Sequence, residues 1–202
     1  MNERRIMWGG KGALAASLLA GRVFPDIPGV AGKGGPERCL GYPLSALVVP
    51  IFWRLSSQRR SRSGDHPSPY PHLADALLVT PFVLDLLGNV TNLFDTVSWF
   101  DDALHFTNWI FLVLALVLLM APAVLERWTL ILLGSGMGAL AIVLWEALEW
   151  VIQDMGTTGL QLTYDDTIGD LVLSTSGGLL GAAVAARLRS RRPGAGPMNQ
   201  PI

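Results

Sequence analysis

Of 202 residues, 50% are hydrophobic and only 15% charged, against about a quarter in a soluble domain, and mean hydropathy is +0.41. The formal net charge of -1 and the lack of a basic run interleaved with aromatics exclude a nucleic-acid partner, and the single cysteine, Cys39, excludes an internal disulfide. What remains is an all-α polytopic transmembrane bundle of five or six helices, a single domain over 1–202.

The first apolar stretch, 12–21, lies between Lys11 and Arg22. It fits three roles: a weak tilted span with snorkelling ends, the apolar centre of a signal peptide, or an interfacial segment within 1–38. The next, 39–55, carries Pro43 and Pro50 and reads as a span despite its short length. Four longer segments follow, at about 73–93, 103–121, 129–151 and 167–187. Each covers roughly 30 Å of hydrocarbon at about 1.5 Å per residue. They form a predicted four-helix core over 73–187. Segments 56–72 and 193–202 are polar and rich in Pro, Ser or Gly, which predicts flexible cytoplasmic stretches. Trp53, Trp99, Trp128 and Trp150 fall near span ends, as an interfacial belt requires. Gly134 with Gly138, and Gly177 with Gly181, have the spacing that lets helices approach closely.

Basic residues set the orientation. Arg54, Arg59, Arg60 and Arg62, then Arg127, then Arg187, Arg189, Arg191 and Arg192 fall on one side if the spans alternate. The positive-inside rule makes that side cytoplasmic, with the C-terminus, in a bacterial plasma membrane. The acids do the opposite. Asp85, Asp95, Asp101, Asp102, Glu146, Glu149, Asp154, Asp165, Asp166 and Asp170 all fall in the outer loops or outer helix halves.

Their spacing predicts four polar stripes: Asp85, Asn89 and Asn92; Asp102, His105 and Asn108; Glu146, Glu149 and Gln153; Asp166, Asp170 and Ser174. Asp101, Asp154 and Asp165 read as helix caps or solvated groups, since acids suit helix N-termini. Charge inside a bilayer is costly, so a group of intramembrane acids is a functional hypothesis by default. Carboxylates with one imidazole suit a divalent metal such as Mg, Mn, Fe or Zn. Helical bundles build such sites from inward acids and acid–His pairs one turn apart. On this reading Asp102, His105, Glu146, Asp166 and Asp170 are candidate metal ligands. Glu149 is the candidate acid or base, and Asp85, Asn89 and Asn108 complete the cluster. Lys33 and Arg38 can reach the same face and neutralise part of its charge.

The runs DLLGNVTNLFDTVSWFDDALHFTNW (85–109), WEALEW (145–150) and YDDTIGDLVLSTSGGLLGA (164–182) together resemble the YjdF-like bacterial membrane proteins, a family of unknown function. A weaker similarity links them to VanZ-like proteins, and the likeness covers about 75–185. The resemblance matches Asp102, His105, Glu146, Glu149, Asp166 and Asp170. It implies a bacterial membrane protein and supplies no reaction.

Three function classes follow. The first is a metal-assisted site acting on a lipid-linked or envelope substrate at the outer leaflet, with membrane lipids as partners. The second is a proton or cation transporter, which needs polar groups continuing inward; only Asp75 and Thr80 offer them. The third is a structural or accessory subunit that docks a membrane partner or a second copy.

Overall fold

The computed structural model describes residues 2–31, 33, 35–64, 66, 68–120, 125–157 and 162–190. The stretch 193–202 lies outside them. Seven helices follow in order: α1 (Glu3–Val23), α2 (Gly35–Arg62), α3 (His72–Val90), α4 (Leu93–Thr96), α5 (Phe100–Met120), α6 (Arg127–Asp154) and α7 (Tyr164–Ser190). No strand occurs among the described residues. Helices α2, α3, α5, α6 and α7 are long and apolar enough to cross a membrane, so the all-α bundle with five such helices is the expected architecture.

Several helices outrun their apolar stretches. Helix α2 continues through Arg59, Arg60 and Arg62. Residues 56–62, expected to be flexible, are therefore helical. Basic side chains at a helix C-terminus complement the helix dipole and favour its continuation into a polar layer. Helix α3 stops earlier than its polar stripe, at Val90. Asn92 then takes a left-handed backbone, φ 59°, which Asn tolerates better than most residues.

Helix α1 carries Arg4, Arg5, Lys11 and Arg22 and is not among the five, yet its 21 residues reach about 31 Å at about 1.5 Å each. It lies parallel to α3 along the whole length. Met7 Sδ meets His72 Nδ1 at 3.4 Å, Gly10 faces Val79, and Leu14 packs in one cluster with Val79 and Val83. Just past α1, Gly29 rests against the Asn89 carbonyl; a Cβ there would collide with it.

Two apolar cores result. One joins α1, α2 and α3 through Leu14, Tyr42, Val79, Val83 and Leu86. The other joins α5, α6 and α7 through Val113, Ile131, Ile142, Ala182 and Ala186. Helix α7 sits directly on α5 because Gly177 and Gly181 face the carbonyls of Phe106 and Ile110, where no side chain fits. Helices α3 and α5 pack together and join the two cores. Helix α6 packs on α5 and α7, and α2 on α1 and α3; among the described residues the backbone of α6 approaches neither α2 nor α3. Only the Trp145 side chain on α6 reaches both cores. That unfilled seam positions the site.

The bundle has a basic end, carrying Arg59–Arg62 and Arg187, and an acidic end, carrying Asp101, Asp102, Asp165 and Asp166.

Candidate functional site

A cavity of about 600 Å³ lies at the acidic end between α2, α3, α5, α6 and α7. Half-exposed Asp95 and Asp101 mark its mouth. Helix α5 lines it with Asp101, His105, Asn108 and Leu112, one face at steps of four, three and four residues. Asp166 and Asp170 line it from α7, Trp145 and Glu149 from α6, Asp85 and Asn89 from α3, and Arg38 and Tyr42 from α2.

Its chemical centre is Asp101, His105 and Asp170, whose ligand atoms all lie within 4.8 Å of one another. His105 Nε2 stands 3.4 Å from Asp170 Oδ1 and 3.8 Å from Asp101 Oδ1. On the other side of the ring, Nδ1 is 3.1 Å from Ser174 Oγ. The Ser174 hydroxyl donates, at 3.5 Å, to the His105 carbonyl. The Ser174 hydroxyl therefore holds the ring by its Nδ1 side, and Nε2 is turned to the two carboxylates. Fixing one imidazole nitrogen so that the other can ligate is how second-shell groups prepare a metal site. Ser174 is fully buried and Asp170 is 3% exposed, so two of the groups are held firmly.

A basic wall stands opposite. Arg38 Nε is 3.3 Å from Asp85 Oδ2 and also donates to the Tyr42 hydroxyl. Another guanidinium nitrogen donates to the Lys33 carbonyl. Tyr42 in turn donates to Asp85 Oδ2 at 2.8 Å. Lys33 Nζ holds Asp95 Oδ1 at 2.7 Å. Among the described residues the lining thus contains two cationic side chains and six carboxylates, a formal excess of four negative charges. After the two pairs are made, Asp101, Glu149, Asp166 and Asp170 have no Lys or Arg partner among the described residues. Two buried acceptors in the lining, Asn89 Oδ1 and Asn108 Oδ1, have no hydrogen-bond donor. Asn89 is 2% exposed and its amide nitrogen is already committed to the Asp85 carbonyl.

The residues singled out from spacing fall as follows. His105, Glu149, Asp166, Asp170, Asp85, Asn89 and Asn108 line the cavity. Asp102 is exposed and outside it, while Asp101, read from sequence as a cap, lies beside His105. The reason is angular: at about 100° per residue Asp101 falls within the arc shared by His105, Asn108 and Leu112, and Asp102 lies about 90° from its centre. Glu146 is buried off the cavity, near Asp166 and Thr167. Gln153 Oε1 accepts from the Leu162 amide in the α6–α7 connection. Spacing did not single out Tyr42, although it lies one turn from Arg38 on α2.

A second polar cluster sits near the basic end. Lys11 Nζ is 2.6 Å from Asp75 Oδ2 and donates to the Ala46 carbonyl at 2.9 Å. That carbonyl lacks its helical partner because Pro50, four residues on, has no N–H. Tyr70 donates to the same Asp75 oxygen at 2.5 Å. Burial and this hydrogen bond push the Tyr70 phenol well above its ordinary range. Thr80, the other inner polar group on α3, bonds back to its own helix at the Ala76 carbonyl.

No curated protein and no solved structure matches the chain. Residues 46–191, which span α2 from its middle through to the end of α7, match the family described as "Predicted membrane protein (DUF2238)". With apolar helices of spanning length and a matched stretch covering most of its residues, the chain belongs to that predicted membrane protein family.

Proposed function

We propose that the acidic end holds a divalent cation on Asp101, His105 and Asp170, and that this cation acts on the polar head of a lipid-linked or envelope substrate. The observation that carries the reading is the triad: an imidazole nitrogen turned by Ser174 toward two carboxylates, in a cavity where four acids have no Lys or Arg partner among the described residues. Such a set suits Mg, Mn, Fe or Zn and leaves coordination positions open for water or substrate. A bound cation would polarise a phosphoryl or acyl oxygen or activate water, with Glu149 placed to move a proton. The transport reading is weaker, because Leu112, Val113 and Leu116 floor the cavity and Thr80 points into its own helix.

The same reading places the acidic end on the non-cytoplasmic side of a bacterial plasma membrane and the C-terminus in the cytoplasm, by the arginines at the basic end. It makes α1 a sixth span alongside α3, and the relationship to YjdF-like proteins fits the motifs of α5, α6 and α7.

Elemental mass spectrometry of the purified chain tests the proposal. Stoichiometric divalent metal is expected in the wild type and in Asp102→Asn, and is lost in Asp101→Asn and His105→Ala. Wild-type protein without metal above background, after purification in metal-supplemented buffer, overturns it.

A further inference from the structure

The cavity is deeper than a cation or a headgroup needs. Along α5 it is lined from Asp101 to Leu116, fifteen residues and about 22 Å at about 1.5 Å each. Half of a roughly 30 Å hydrocarbon core is about 15 Å. The lower part of the lining is apolar: Leu78 on α3, Leu112, Val113 and Leu116 on α5, Gly138 and Ala141 on α6. A volume of about 600 Å³ reaching to that depth has room for a hydrocarbon chain.

The cavity, a shaft along α5, also has a side. Helix α6 packs on α5 and α7, and its backbone approaches neither α2 nor α3 among the described residues. The seam between α3 and α6 is crossed by the Trp145 side chain, which lines the cavity and touches both apolar cores. Polar substrates enter from water; an amphiphile already in the bilayer enters sideways through such a seam without leaving hydrocarbon. Above Leu112, the unpartnered Asn89 and Asn108 oxygens and the acidic side chains make the lining polar and mark where a polar head ends.

We infer that the cavity takes a membrane amphiphile, with one hydrocarbon chain lowered into the shaft and the head held level with Asp101, His105 and Asp170. The inference rests on the headgroup reading above and names the class of its substrate. It requires no particular head and no metal to place the chain. The chain is supported by apolar contact in the lower part of the shaft, and the depth of Leu116 sets how long a chain fits.

The test is the lipid retained by the full chain, identified by native mass spectrometry and by mass analysis of extracted lipids after exchange into fresh detergent. The extract separates acyl from isoprenoid chains. Wild-type protein is expected to keep one amphiphile per chain. Leu116→Trp, which raises the floor, is expected to shift the retained chains to shorter ones or lower occupancy several-fold. Leu78→Phe serves in its place should that variant elute as aggregate. Leu144→Trp, on the exposed outer face of α6, is expected to change nothing. No retained amphiphile in the wild type overturns the inference, and so does an equal effect from Leu144→Trp and the floor variants. Metal measured on the same samples keeps the two readings apart. Lipid retained without metal overturns the cation alone, and metal retained without lipid overturns the shaft alone.

Discussion

The molecule contains two buried polar clusters that solve the same electrostatic problem differently. Near the basic end, one carboxylate, Asp75, meets one ammonium, Lys11, with Tyr70 and the Ala46 carbonyl adding a hydrogen bond each. At the acidic end, four carboxylates and an imidazole face one cavity with no cationic side chain paired to them among the described residues. Both lie among apolar helices of similar length. The first is balanced in charge from within the chain, with both donors on Oδ2 and Oδ1 left without a hydrogen bond, and behaves as a structural clasp. The second is left open, and an open cluster of like charges is stable only with something added. Net charge at a buried site, more than the presence of charge, separates structure from function here.

The contrast yields a graded set of outcomes. The largest effect belongs to the closed cluster. Lys11→Met leaves the fully buried Asp75 carboxylate without its ion partner, and removing one member of a buried pair costs about 3–5 kcal/mol. Thermal unfolding in detergent should show that loss, and Lys11→Met with Asp75→Leu should recover most of it. A double variant as unstable as the single one would mean the pair is not a clasp.

The open cluster should respond to added cation instead. At a metal concentration 100 times the dissociation constant, the wild type gains about 2.7 kcal/mol by linkage. Asp101→Asn and Asp170→Asn should lose that gain while remaining as stable as the wild type in chelator, because each removes a like charge. Asp102→Asn should keep the gain and shift stability in chelator by less than about 0.5 kcal/mol, as for an ordinary surface change.

The reach of the sequence divides along the same line. Helix number, helix class and the gathering of acids at one end were legible, because period and apolar length report directly on a bilayer-crossing helix. The choice between Asp101 and Asp102 was not, because adjacent acids at a helix start differ only by the angle each takes once the face shared by His105 and Asn108 is set by packing. Asn92 was assigned to the stripe of Asp85 and Asn89, yet α3 ends two residues before it. The Lys11–Asp75 pair was invisible, since it joins positions 64 residues apart and no periodicity within a segment encodes a partner in another. Tyr42 went unseen for the same reason: its role depends on Asp85, 43 residues away.

The smallest effect sharpens the closed side. Tyr70→Phe removes one hydrogen bond to Asp75 and should cost about 1 kcal/mol. It should also change the alkaline limb of stability. The folded chain holds the Tyr70 proton more tightly than the unfolded chain does, so this contribution is whole below about pH 10, the ordinary tyrosine value, and fades as pH rises beyond it. Unfolding followed from pH 8 to 11 should show a shallower decline in Tyr70→Phe. Parallel curves would mean that the hydroxyl contributes nothing to the clasp.

The Lys11 clasp also constrains how the chain is made. Synthesis runs from the N-terminus, so α1 emerges with its ammonium before any acceptor exists. The Ala46 carbonyl, freed by Pro50, appears 35 residues later, and Asp75 another 29 after that. Lys11 therefore waits, then gains a neutral acceptor from α2, and only then its counter-ion from α3. All groups of the clasp lie in α1 to α3 and the Tyr70 segment before α3, so it needs nothing from α5, α6 or α7 in order to close.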